Sequence, residues 1–161
     1  MEILVTLLST MGGAIIGSVA TWYLITVSER NKARCEALVS AAQTLQHCRV
    51  VYANWYVEYL SPHAKEASGH WAKDVTGKPD PVYIEMMSAV DNNRGQLRID
   101  KAVILARVPH KCAKPICDGI AGILDLTGRG SDCREVDLVI EEVCERIYDV
   151  MKQYSKVFVL L

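Results

Sequence analysis

The chain has 161 residues with 18 basic and 19 acidic side chains, and this near-neutral balance argues against the strongly basic surface of a nucleic-acid-binding domain. Half of the residues are hydrophobic and no long low-complexity tract occurs, which excludes a largely disordered chain. Beyond an apolar N-terminal run, roughly 134 residues remain, enough for one domain with its own core.

An uncharged run over residues 3–27 is the first predicted element. A helix needs about 20 apolar residues to cross the hydrocarbon core of a bilayer, and this run is long enough at about 1.5 Å per residue. We interpret it as a transmembrane helix. A cleaved signal peptide would need basic residues before the run, where there are none. A buried helix of a water-soluble domain rarely lacks charge over such a length.

Basic residues directly after the run predict its orientation. Arg30, Lys32 and Arg34 follow it, and Lys and Arg are retained on the cytoplasmic side of a membrane. We therefore expect the N-terminus outside and the remaining chain in the cytoplasm, in a bacterial inner membrane or a comparable one. Trp22 and Tyr23 suit the headgroup layer, or are ordinary apolar residues just inside it. The three basic residues are suited to anionic lipid, although a plain stop-transfer flank explains them equally well.

Small residues recur at every fourth position within the run and share one helix stripe: Ser9, Gly13, Gly17 and Thr21. Such spacing allows two helix backbones to approach closely in a membrane. The stripe predicts self-association, with a chance match as the alternative, because glycine is common in membrane helices.

Residues 28–161 are predicted to form one cytoplasmic helical domain behind the anchor of residues 1–27. No Gly or Pro occurs over residues 28–60, so we expect the anchor to continue into the first helix of the domain. Its apolar residues alternate in steps of three and four and form one seam: Leu38, Ala41, Leu45, Cys48, Tyr52, Trp55 and Tyr59.

A connector over residues 61–80 separates the first two helices and is longer than most connections in compact domains. It contains either a short helical turn or a functional loop. Asp80 and Pro81 then suit the start of a second helix that continues to Pro109. Residues 91–95 are poor helix formers, so we expect a weakened helix there, with a turn as the alternative.

A third helix is predicted over about residues 112–127, with Pro115 in its first turn. Gly119 and Gly122 cost helix stability, and we expect them where a neighbouring helix comes close. The glycines at 128 and 130 end this helix.

The last helix begins after Asp132, which suits its N-cap. It carries a second seam with a seven-residue repeat: Val136, Ile140, Val143, Ile147, Val150, Tyr154, Val157 and Leu161. The two seams have similar lengths, so we expect the first and last helices to pack together. The predicted fold is all-α, an antiparallel bundle of three or four helices. An extended intermolecular coiled coil is the alternative.

Candidate chemistry is sparse. In a cytoplasmic domain we expect reduced thiols at all six cysteines: Cys35, Cys48, Cys112, Cys117, Cys133 and Cys144. The cysteines and histidines do not form the close pairs that a zinc site needs. His47 and Cys48 are adjacent on a helix and so point in different directions. We therefore expect no enzyme activity, no cofactor, no metal, no nucleic acid and no small-molecule substrate.

These features predict a single-pass membrane-anchored tether or scaffold whose partners are the lipid bilayer and a protein, including a second copy of the chain. A different class is a membrane-active effector of the lysis, exclusion or defence type that acts through association of the small-residue stripe. The absence of a charged residue to line a pore counts against it. A membrane-anchored enzyme is the third class.

Overall fold

The computed structural model describes residues 2–61 and 80–155. The side chains of residues 2–17, 20 and 155 lie outside this description. So does the connector predicted over residues 61–80, apart from Ser61 and Asp80.

Four helices make up the described part. Helix α1 spans Glu2–Trp55 and continues directly into a π-helical turn, Tyr56–Leu60. Helix α2 spans Pro81–Arg107, α3 spans His110–Arg129 and α4 spans Cys133–Ser155. No strand occurs among the described residues, which confirms the prediction of an all-helical bundle.

The bundle is antiparallel, and each helix packs mainly against two others. Helix α1 lies between α2 and α4, and α3 completes the bundle opposite α1. At one end, the Nε atom of Arg34 donates to the carbonyl oxygen of Arg107, 3.2 Å away. At the other end, the Tyr52 hydroxyl donates to the carbonyl oxygen of Ser131 over 2.6 Å. The seams are thus buried within one chain, unlike those of an intermolecular coiled coil.

The core between the helices is mostly aliphatic. Its largest fully buried side chains come from all four helices: Leu38, Leu45, Tyr52, Leu97, Ile104, Ile116, Ile120, Ile123, Val136, Ile140, Val143 and Ile147. Each Leu or Ile removed from water contributes about 1.5–3 kcal/mol. This shared core is what fixes the four helices relative to one another.

Helix α2 begins as its sequence predicts and contains no turn. The Asp80 carboxylate accepts a hydrogen bond from the backbone N–H of Val82 at 2.9 Å, and Pro81 occupies the first helical position. The helix continues through residues 91–95. Asn93 in this segment is buried against α1, so tertiary contacts compensate for its low helix propensity.

Helix α3 begins earlier than predicted. It starts at His110, because Val108 is extended before Pro109 and Pro109 takes the N-cap position. Pro115 therefore lies inside the helix and not in its first turn, which corrects the prediction. The helix ends at Gly130, whose φ of 68° is in the left-handed region that favours glycine.

Only one of the two glycines predicted at a close helix approach is in such a place. A Cβ atom at Gly119 would overlap Cγ2 of Val143 on α4, whereas a Cβ at Gly122 would meet nothing within 4 Å. The prediction for Gly122 is therefore wrong, because this residue does not lie on the contact face.

Among the described residues, no helix is both long enough and apolar enough to cross a lipid bilayer. The structure therefore does not support the transmembrane helix predicted over residues 3–27. Within that run it describes the side chains of residues 18–27 except Ala20, which extend over about 15 Å of helix, half of the thickness that a span needs.

The two glycines of α3 provide a matched test of the helix contact. We expect Gly119→Ala to lower the free energy of unfolding by about 1–3 kcal/mol through overpacking against Val143. Gly122→Ala should raise it by up to about 1 kcal/mol through helix propensity. Urea unfolding of the purified full-length variants, followed by circular dichroism, measures both. Equal stability of the two variants would contradict the close approach of α3 and α4.

Candidate functional site

The residues predicted at a membrane interface lie on the part of α1 that leads into the bundle. Trp22 and Tyr23 are 67% and 62% exposed, and Arg30 and Lys32 are also exposed. Of the predicted association stripe, Thr21 is exposed. The side chains of its other members, Ser9, Gly13 and Gly17, lie outside the described residues.

Arg34 differs from its basic neighbours because it is fixed within the bundle. Its Nη1 atom donates to the Oδ1 atom of the buried Asn31 at 3.0 Å, and its Nε atom donates to the carbonyl of Arg107. Its guanidinium also lies 5.4 Å from the centre of the Tyr154 ring on α4. Arg34 thus joins three helices. The sequence could not reveal this role, since Arg107 and Tyr154 are distant in the chain.

The seam residues are placed in the core. Leu38, Leu45, Tyr52, Tyr59, Val136, Ile140, Val143, Ile147 and Val150 are all buried. Tyr154 is half-buried, as is Trp55, while Val157 and Leu161 lie outside the described residues. These positions stabilise the bundle and leave its outer faces for contacts with other molecules.

A polar groove between α1 and α2 was not predicted. It is lined by Gln43, Thr44, His47, Ala89, Asn92, Asn93 and Gln96. The Nδ2 atom of Asn93 lies 2.9 Å from Nδ1 of His47, and the buried Asp100 nearby accepts from the Ser40 hydroxyl at 3.2 Å. The groove offers hydrogen bonds from amides and an imidazole. Its only signal in the sequence is the interruption of the apolar pattern of α2 by polar residues.

The cysteines are free thiols in the described part, and several lie in apolar surroundings. Burial raises the pKa of Cys48 to about 11, although the Arg94 guanidinium lowers it slightly. Burial also raises the pKa of Cys117 and of Cys144. Such thiols stay protonated near pH 7 and are weak nucleophiles.

His47 and Cys48 do not converge on one site, since the histidine is exposed and the cysteine is buried. Among the described residues, no three His, Cys, Asp or Glu side chains are grouped so that they could hold a metal ion.

The chain matches no protein-family model, no curated protein sequence and no solved structure.

The raised pKa of Cys48 predicts how stability changes at alkaline pH. The folded chain keeps a proton that the unfolded chain releases above a pH of about 9, so this contribution is complete below that value and is lost as the pH rises toward 11. We expect the free energy of unfolding to fall over this interval by on the order of 2 kcal/mol from Cys48.

The measurement is urea unfolding at several pH values for the wild type and for Cys48→Ala. The variant loses packing at every pH, so the informative quantity is the slope of stability against pH, which should be shallower in the variant. Identical slopes would show that Cys48 does not contribute to the pH dependence.

Proposed function

We propose that the chain is a single-pass membrane-anchored tether whose cytoplasmic helical bundle binds protein, including a second copy of the chain. The observation that carries this proposal is the nature of α1 before the bundle. Trp22, Tyr23, Leu24 and Ile25 are consecutive, point in four directions around the helix, and are all between 42% and 67% exposed. A helix that is apolar on every side needs an apolar environment on every side.

The sequence before these residues supports a bilayer as that environment. The uncharged run begins at residue 3, and the backbone of α1 is helical from Glu2 into the bundle. The run is long enough to cross a membrane with some tilt. The exposed Arg30 and Lys32 follow it and favour a cytoplasmic bundle.

An apolar line on the outer face of α1 and of the π-helical turn that follows it supports the protein-binding part of the proposal. Val39, Val50 and Val57 are exposed to 38%, 58% and 59%. At about 100° per residue, Val39 and Val50 lie within roughly 20° of one another around the axis of α1, with the exposed Gln46 between them, and Val57 follows in the π-helical turn. An anchor confines the bundle to two dimensions, which raises the effective concentration for a second contact along this line.

The anchor is tested by fractionation of cells that express the full-length chain. We expect the wild type in the alkali-resistant membrane pellet, and Ile15→Arg/Ile16→Arg in the soluble fraction. Each arginine at the centre of a span costs about 2.5–3.5 kcal/mol. Ile15→Leu/Ile16→Leu is the matched control and should stay in the pellet. A wild-type chain that is soluble without detergent would refute the anchor, and a C-terminal tag cleaved by protease outside sealed cells would refute the orientation.

The protein contact is tested by chemical crosslinking in isolated membranes. We expect crosslinked species of the wild type to fall at least about 10-fold in Val50→Glu/Val57→Glu, because the association would bury unpaired carboxylates. Val82→Glu/Ile84→Glu on α2 is the control, since these residues are about as exposed, at 51% and 53%. An unchanged crosslinking pattern in the α1 variant would exclude its apolar line as the contact.

A further inference from the structure

The fold gathers basic side chains at the end of the bundle nearest the apolar part of α1. Arg30 and Lys32 of α1, Arg107 at the end of α2, and Lys111 and Lys114 near the start of α3 form what we call the basic end. All five are exposed. In the sequence, no acidic residue occurs between Asp100 and Asp118, the segment that contains the last three.

Contacts between helices place Arg30 and Arg107 beside one groove, whereas Lys111 lines a second groove, between α3 and α4, together with Arg146 and Asp149. Arg30, Arg34 and Arg107 flank a single groove between α1 and α2. Arg34 joins this groove to α4 through the Tyr154 ring. Lys111 follows Arg107 by four residues, across the short connection at Pro109 that turns the chain from α2 into α3.

The charges of the basic end are not neutralised within the bundle. Its five residues form no ion pair with a carboxylate among the residues that the structure describes. Four arginines elsewhere are paired: Arg49 with Asp137, Arg94 with Asp91, Arg129 with Asp125 and Arg146 with Glu142. At this end of the near-neutral chain, the five basic residues outnumber the exposed acids beside them, Glu29 and Asp149.

Helix stability does not explain the position of Lys111. Lys111 lies in the first turn of α3, where the helix dipole disfavours cations, and Lys114 follows just beyond that turn. The first turn of α3 contains no acidic residue, whereas the first turn of α4 contains Glu135. Lys111 opposes the dipole of its own helix, so a contact outside the chain explains this basic residue better than helix stability does.

We propose that the basic end binds the anionic headgroups of the lipids around the anchor and holds the bundle against the membrane. This inference rests on the proposed function, because it assumes that α1 crosses a membrane and so fixes the distance of the basic end from the lipid. If α1 leaves the hydrocarbon near Val27, then Arg34 and its partner Arg107 lie about 10 Å further along the helix. The headgroup layer is roughly 5–8 Å thick on each side, within reach of long basic side chains.

Native mass spectrometry of the full-length chain in detergent tests this proposal by titration with phosphatidylglycerol and, separately, phosphatidylcholine. We expect the wild type to prefer phosphatidylglycerol. Arg107→Gln/Lys111→Gln/Lys114→Gln should bind it at least about 5-fold more weakly, the loss expected from one basic residue beside an anionic headgroup. The charge-conserving Arg107→Lys/Lys111→Arg/Lys114→Arg should retain binding.

A charge-matched control uses three exposed arginines away from the basic end, Arg98→Gln/Arg129→Gln/Arg134→Gln, and should change the affinity by less than about twofold. Equal losses in the control and in the basic-end variant would overturn the proposal. Displacement of the lipid by 10 mM inorganic phosphate would also overturn it, in favour of a site for free phosphate. A third result would also overturn it: the wild type binds a 20-nucleotide RNA, and the basic-end variant loses this RNA binding but keeps its lipid affinity.

The membrane anchor and the lipid-binding basic end can be refuted independently of one another. Loss of phosphatidylglycerol binding in the basic-end variant, with a wild-type chain that fractionates as soluble, supports the lipid surface and refutes the anchor. An alkali-resistant wild-type chain whose lipid preference is unchanged in the variant retains the anchor and refutes the lipid surface.

Discussion

The burial of one face of α1 is the constraint on which the rest of the structure depends. Leu38, Leu45 and Tyr52 are fully buried, and α2 and α4 pack on either side of them. The same helix begins in the uncharged run. Its rotation about its own axis therefore also determines which residues of that run face outward before the bundle begins. The core and the exposed apolar line both follow from the orientation of this one helix.

The length of α2 determines what meets at the basic end. Helix α2 runs antiparallel to α1 and has 27 residues, so it extends from the Tyr59–Tyr83 ring contact down to Arg34. A shorter second helix would place the turn at Pro109 closer to the Tyr59 end of the bundle, away from Arg30 and Lys32. The basic end is thus a product of helix length as well as of composition.

The sequence predicted well the features that depend on a regular spacing of apolar residues. It predicted poorly the contacts between individual residues. Alternating spacings of three and four predicted the faces of α1 and α4 that are buried, and Asp80 with Pro81 predicted the start of α2. The start of α3 was missed because Pro109 has no side-chain oxygen for capping.

Contacts between distant residues were beyond the sequence. Asn93 reaches His47 across 46 positions, and Arg34 reaches Arg107 across 73. No local pattern encodes such partners, so the polar groove and the role of Arg34 emerged only from the packed bundle. For the same reason, two glycines three positions apart could not be distinguished before the facing helix was known.

The continuity of α1 has a mechanical consequence. No glycine or proline occurs between Ser18 and Leu60, and the helix has no hinge where the uncharged run meets the bundle. From Val27 to Trp55 it extends about 42 Å. If the part of the helix before Val27 tilts by about 10°, the end of the helix at Trp55 therefore moves sideways by about 7 Å. If the uncharged run spans a bilayer, as proposed, a change in local bilayer thickness that tilts the run would displace this end of the helix by this distance.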